Sequence, residues 1–183
     1  MFILFVLVCS LVVALARGGR LDRLVNLPVR QLWLFFIPLL LQLVIFTPLV
    51  KLIGNGETWV PLVHIASLLL AALALALNRH LPGVSWIAAG LTLNLIVIAL
   101  NGGLMPVSAA ARQFAGQAPL HGSANNVILM TPDTVLWFLG DILPLPAWLP
   151  LANVYSIGDV LVTLGGVILT QQALTCRLCA SRL

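Results

Sequence analysis

Five apolar runs, 2–16, 31–52, 60–77, 82–100 and 157–174, dominate this chain and leave charge to the gaps between them. Such runs constrain the fold before any motif does. Hydrocarbon offers a backbone no hydrogen-bond partner, so a spanning segment must be a helix of about 18 or more largely apolar residues.

Composition agrees: the chain is 61% hydrophobic and 8% charged, against about 25% charged in soluble domains. Mean hydropathy is +1.13. The expected fold is all-α, a polytopic helical membrane protein with about five transmembrane helices and one re-entrant half-helix. Residues 1–183 form a single integral membrane domain whose first partner is the lipid bilayer. No soluble domain of useful size remains. The net charge of +4 reflects the placement of arginines at one membrane face, not a nucleic-acid site.

The first run is expected to be a retained anchor, because Arg17, Arg20 and Arg23 follow it whereas a secretory signal carries its charge in front. Leu21, Leu24 and Val25 then fall at helical spacing and predict a brief interfacial turn ended by Pro28. Pro38, Gln42 and Pro48 predict a kinked, packed second span. Residues 54–59 read as a tight turn with Trp59 at headgroup level. Asn78-Arg79-His80 joins the third and fourth spans into a hairpin, and the alanines of 71–76 favour close helix packing.

Residues 101–131 form the long outer loop, with a short helix expected across Ser108 to Phe114. Thr131-Pro132-Asp133 has the order of a helix start. A helix over 132–143 would be about 18 Å long against a core of about 30 Å. Pro144, Pro146 and Pro150 block its extension, so it is expected to re-enter instead of crossing. Residues 175–183 form a cytoplasmic tail. With this layout seven of nine basic residues share one face, only Lys51 and Arg112 lying opposite. The N-terminus is then outside and the C-terminus inside.

Chemistry concentrates in two Gly-Asp segments, Phe138 to Leu143 and Ser156 to Leu161. Ser156-x-x-Asp159 has capping-box spacing, and a carboxylate there complements the positive helix start. Asp141 lies near the end of the expected half-helix, where the dipole disfavours a negative charge. It needs a proton, water or a partner such as Lys51, Arg112, Asn94 or Asn101. Gly102 is expected to cap the fourth helix in a left-handed conformation, and Gly103 follows it. Met105, Pro106 and Ser108 would then fold back so that unwound carbonyls and Asn101 line a small polar cavity. His64 reads as a packing residue, and the three histidines are not expected to assemble a metal or haem site. Cys176-x-x-Cys179 is one pair without a second, so reduced thiols are the default. Neither a cofactor nor a metal is expected, and no catalytic motif appears.

Leu77-Asn-Arg-His-Leu-Pro-Gly83, Asn94, Asn101-Gly-Gly-Leu-Met-Pro-Val-Ser108, Leu139 to Pro146 and Tyr155-Ser-Ile-Gly-Asp159 resemble a family of small bacterial membrane proteins classed as a domain of unknown function. The Asn-Gly-Gly-x-Met-Pro segment and the two Gly-Asp segments carry the resemblance. It implies a multi-pass protein of the bacterial inner membrane and no particular activity.

The expected function is non-enzymatic: binding or passing a small ligand, ion or lipid headgroup at an outer-side polar cavity. The candidate ligand-binding residues are Asp141, Asp159, Asn94, Asn101, Gly102, Gly103, Met105, Pro106 and Ser108. The alternative is an accessory structural subunit packed against other membrane subunits of a respiratory or photosynthetic complex. A third reading is an intramembrane enzyme using Asp141 and Asp159 together.

Overall fold

The structure, a computed structural model, describes residues 2–47, 59–120, 123–124, 126–149 and 151–175. Pro48, Lys51, most of the 54–59 turn, Pro150, and the tail with Cys176, Arg177, Cys179 and Arg182 lie outside the described residues.

The chain is mostly helical. Its helices are α1 (Phe2–Ala16), α2 (Leu21–Val25), α3 (Trp33–Ile45), α4 (Trp59–Leu77), α5 (Val84–Leu100), α6 (Ala109–Phe114) and α7 (Ile157–Thr175). Of these, α4 and α7 are long and apolar enough to cross a membrane, whereas α1, α3 and α5 are shorter apolar helices. Only 28% of the apolar stretch in α4 and in α7 is buried in the protein, so much of each presents side chains outward. Leu62, Leu69, Val160 and Leu164 are exposed, as are Leu4 and Phe5 on α1 and Phe36 and Leu40 on α3.

In space the helices follow the order α3, α4, α5, α7, α1. The tightest seam joins α5 and α7, which run antiparallel. Gly83, just before α5, meets Gly165, and Gly90 meets Gly158. Two glycines seven residues apart on each side let the backbones touch at points about two turns apart, which is how helices gain dispersion contact where burial of apolar area gives little. The alanines of 71–76 contribute less: Ala74 is fully buried, but Ala71, Ala72 and Ala76 are not.

At one end of the bundle, α1 and α7 stop together. Arg23 donates to the Leu174 carbonyl at 3.0 Å, and Arg17 to Gln171 at 3.4 Å. Asn78, after α4, holds both the N–H of Arg30 at 2.7 Å and its carbonyl at 2.9 Å.

A small β-structured cap covers the opposite end. Its strands are β1 (Met105–Val107), β2 (Ser123–Ala124), β3 (Val127–Leu129), β4 (Leu143–Pro144) and β5 (Val154–Tyr155). β1 pairs parallel with β3, β2 pairs antiparallel with β3, and β4 pairs antiparallel with β5. Val107, Ala111, Ala115 and Val154 form the core beneath these strands. Thus the stretch 101–131, expected as a loop, carries three short strands besides the expected α6.

The half-helix expected at 132–143 is not formed. Leu136 is left-handed at φ +52°, a single 3-10 turn spans Trp137–Leu139, and Asp141 pairs in parallel with Val107. The backbone groups that a helix would have used internally are taken by distant partners. Val135 N–H donates to Asn101 at 3.1 Å, and Asp141 N–H to the Pro106 carbonyl at 2.8 Å. Asp141 therefore does not sit at a helix C-terminus.

Candidate functional site

Ser156 and Asp159 open α7 as a reciprocal cap. Ser156 N–H donates to Asp159 Oδ2 at 3.1 Å, and Asp159 N–H donates to Ser156 Oγ at 3.0 Å, which satisfies two amides at a helix start. Asn94 reaches this cap from α5. It donates to Asp159 Oδ1 at 3.0 Å and accepts from Ser156 Oγ at 2.9 Å. Ser156 is fully buried, yet its hydroxyl both donates and accepts.

Asp141 is held by its backbone alone. Its N–H bonds Pro106 and its carbonyl accepts from Ser108 N–H at 3.0 Å, so the middle of β1 and the residue after it hold Asp141 under the cap. No hydrogen bond joins its carboxyl to another described side chain. Burial, and secondarily the negative charge of Asp159, push that carboxyl up to about 7.

Both aspartates line one polar cavity of about 260 Å³, enclosed by the cap and the start of α7. Arg112, Gln117, Asn126 and Asn153 supply the rest of its polar wall. Arg112 projects from α6, whose start is capped by Ser108 accepting from Ala111 N–H at 3.3 Å. Its Nη2 donates to the Ala118 carbonyl at 2.9 Å, but its buried Nε has no partner among the described residues. Arg112 and Asp141 share the cavity without closing an ion pair; the one ion pair among the described residues is Arg20–Asp22. Gln117 donates to Asn153 Oδ1, which also accepts from Val154 N–H at 2.9 Å.

The remaining expected residues build the site without lining it. Asn101 straps the cap to α5, donating to the carbonyls of Val97 at 2.8 Å and Val135 at 2.9 Å. Gly102 and Gly103 are left-handed at φ +71° and +83°, as the helix exit requires. Gly103 also packs on Pro61, and its carbonyl lies 2.9 Å from His64 Nδ1. His64 is a buried packing residue with an edge-on contact to Phe46. Met105 and Pro106 are buried in β1.

Gln117, Asn126, Asn153 and Tyr155 were not among the expected site residues, and Arg112 entered only as a partner for Asp141. They come from separate segments, with no periodicity to single them out. Among the described residues, no group of three His, Cys, Asp or Glu side chains converges as metal ligation would require.

A second cavity of about 440 Å³ adjoins the first. Phe2, Ile3 and Val6 of α1 face Val160, Leu164 and Val167 of α7 across it, making an almost wholly apolar groove. Tyr155 and Asp159 line both cavities. Tyr155 also accepts from the Phe2 N–H at 3.2 Å, tying α1 to the cap.

The architecture defines a largely helical protein with two membrane-length helices and a β-structured cap over a polar chamber. The family model for the family of unknown function DUF5317 matches residues 26–171, and the chain belongs to that family. The match begins at the end of α2, so α1 and its side of the groove lie outside it. No curated protein and no solved structure matches the chain.

Proposed function

We propose that this is a multi-pass protein of the bacterial inner membrane that binds, or passes, a small polar ligand in the chamber beneath its cap. The membrane reading draws on five apolar helices with outward-facing leucines and phenylalanines. Such faces are costly in water and neutral in lipid. In this reading α1, α3, α4, α5 and α7 all span. Arg17, Arg23, Arg30 and Arg79 gather at the end away from the cap, which by the positive-inside rule is the cytoplasmic one. The cap and chamber then face outward, with the N-terminus outside and the C-terminus inside.

One observation carries the binding role. In a chain only 8% charged, two aspartates and an arginine meet in one cavity; among the described residues the buried Arg112 Nε has no partner and the Asp141 carboxyl accepts no side-chain hydrogen bond. Buried polar groups are ordinarily satisfied, so unpaired ones facing a cavity mark a place where a ligand completes the bonding. Asp159 is different, since its Oδ2 closes the helix cap and its Oδ1 accepts from Asn94. That satisfied half of the site favours the second reading, an accessory subunit whose polar residues set helix register.

Extraction in mild detergent followed by native mass spectrometry separates the two. A small molecule retained by the wild type and lost from a folded Asp141→Asn variant is the expected result. A stoichiometric large protein partner, with no small molecule retained, would instead establish the accessory role.

A further inference from the structure

The polar chamber and the apolar groove share two wall residues, so a ligand in either one touches the same pair of side chains. Asp159 and Tyr155 stand at the junction. On the chamber side the Asp141 carboxyl and the Arg112 guanidinium line one wall without pairing with each other. On the groove side the walls are aliphatic and aromatic, and exposed Leu143, Val160 and Leu164 leave it open laterally.

We infer that the ligand is a membrane amphiphile with a zwitterionic head: its ammonium faces Asp141 and Asp159, its phosphate faces Arg112, and its chain lies in the groove between α1 and α7. This rests on the binding role proposed above and specifies the class of molecule bound. The chamber's 260 Å³ equals the volume of about nine liquid waters, enough for a small head and too little for a chain as well. Arginine suits a phosphate because its planar donors match the phosphate oxygens. The chain gains little by exchanging lipid for groove, since the two are equally apolar. Its effect is to deliver the head sideways from the bilayer at high effective concentration. The groove is thus an entrance, and Tyr155, fixed by Phe2, is its sill.

The test compares two probes on the full chain in phosphatidylglycerol nanodiscs: lysophosphatidylethanolamine, which has head and chain, and phosphoethanolamine, which is the head alone. The expected result is at least tenfold tighter binding of the lysolipid. Val160→Trp, which fills the groove from an exposed position, should remove that advantage and leave phosphoethanolamine binding unchanged. Arg112→Ala should weaken both probes at least tenfold. If Val160→Trp does not fold, Leu164→Trp fills the same groove. Equal affinity for both probes, unaffected by the tryptophan, would overturn the amphiphile while leaving a polar-ligand chamber intact. Lysolipid binding that ignores Arg112→Ala and Asp141→Asn would be adventitious detergent-like association and would overturn it too. Failure of both probes to bind the wild type overturns the zwitterionic head.

Discussion

Asn94, midway along α5, donates to the carboxylate of Asp159 in the first turn of α7 at 3.0 Å, across 65 residues of sequence. The bond joins the two most intimately packed helices at the floor of the polar chamber. It also locks their register, because Gly158 beside it sits directly against the Asn94 side chain.

Replacing Asn94 with Leu should therefore cost more than a surface change. The buried Ser156 hydroxyl and one Asp159 oxygen would lose their partner, each a penalty of about 1–3 kcal/mol. Thermal unfolding in detergent should show a clear loss for Asn94→Leu, with Asn94→Gln intermediate. Unchanged melting for Asn94→Leu would mean that the cap alone satisfies Asp159.

Asp141 gives a pH signature. Its folded carboxyl titrates at about 7, above the ordinary carboxylate range, so the folded state holds the proton more tightly than the unfolded chain. The associated stability is fully present below about pH 4. It is lost as pH rises through about 7. Other groups titrate as well, so the readout is the difference between wild type and Asp141→Asn. The variant should melt with a flatter dependence between about pH 4 and pH 7, and parallel curves would contradict the assignment.

The glycine seam predicts a contrast between two alanine substitutions. A methyl at Gly165 would stand 2.5 Å from the Gly83 carbonyl oxygen and 2.7 Å from the Ile87 nitrogen, backbone atoms that cannot yield as a side chain could. Forcing the helices apart should cost about 1–3 kcal/mol. At Gly102 the same methyl meets nothing within 4 Å. There the cost is only the left-handed backbone, about 1–2 kcal/mol. Gly165→Ala should also broaden the cross-link distances between α5 and α7, whereas Gly102→Ala should leave them unchanged.

Asn101 makes two bonds to Val135 that pin the 131–140 segment to α5, and a third to the Val97 carbonyl fixes its side chain on the helix. Asn101→Ala should speed amide hydrogen exchange at Val135 and its neighbours at least tenfold while leaving exchange in α7 unchanged. Equal protection in both proteins would show that the Asp141–Val107 bridge alone holds the segment.

Much of this architecture is legible in the residues. The run Phe2–Ala16 is α1 to the residue, 157–174 is α7 to within one, and α2 lies where Leu21, Leu24 and Val25 placed a short turn. Ser156-x-x-Asp159 closes the reciprocal cap its spacing implied, and Gly102 adopts the left-handed exit. These features share one property: a helix and its caps bond within a few residues, so local order specifies them.

The cap is another matter. Met105 pairs with Val127 and Leu143 with Tyr155, in strands of two or three residues, too short to show any alternation. Thr131-Pro132-Asp133 has a helix-start signature, yet Asn101 and Pro106 claim the amides that the helix would have used. The chamber follows from those same long-range bonds, which bring Arg112, Asp141 and Asp159 to one cavity from three separate segments. Local hydrogen bonding is written in the order of residues, and pairing between distant backbones is settled only when the helices have docked. The helical frame belongs to the first kind and the polar chamber to the second.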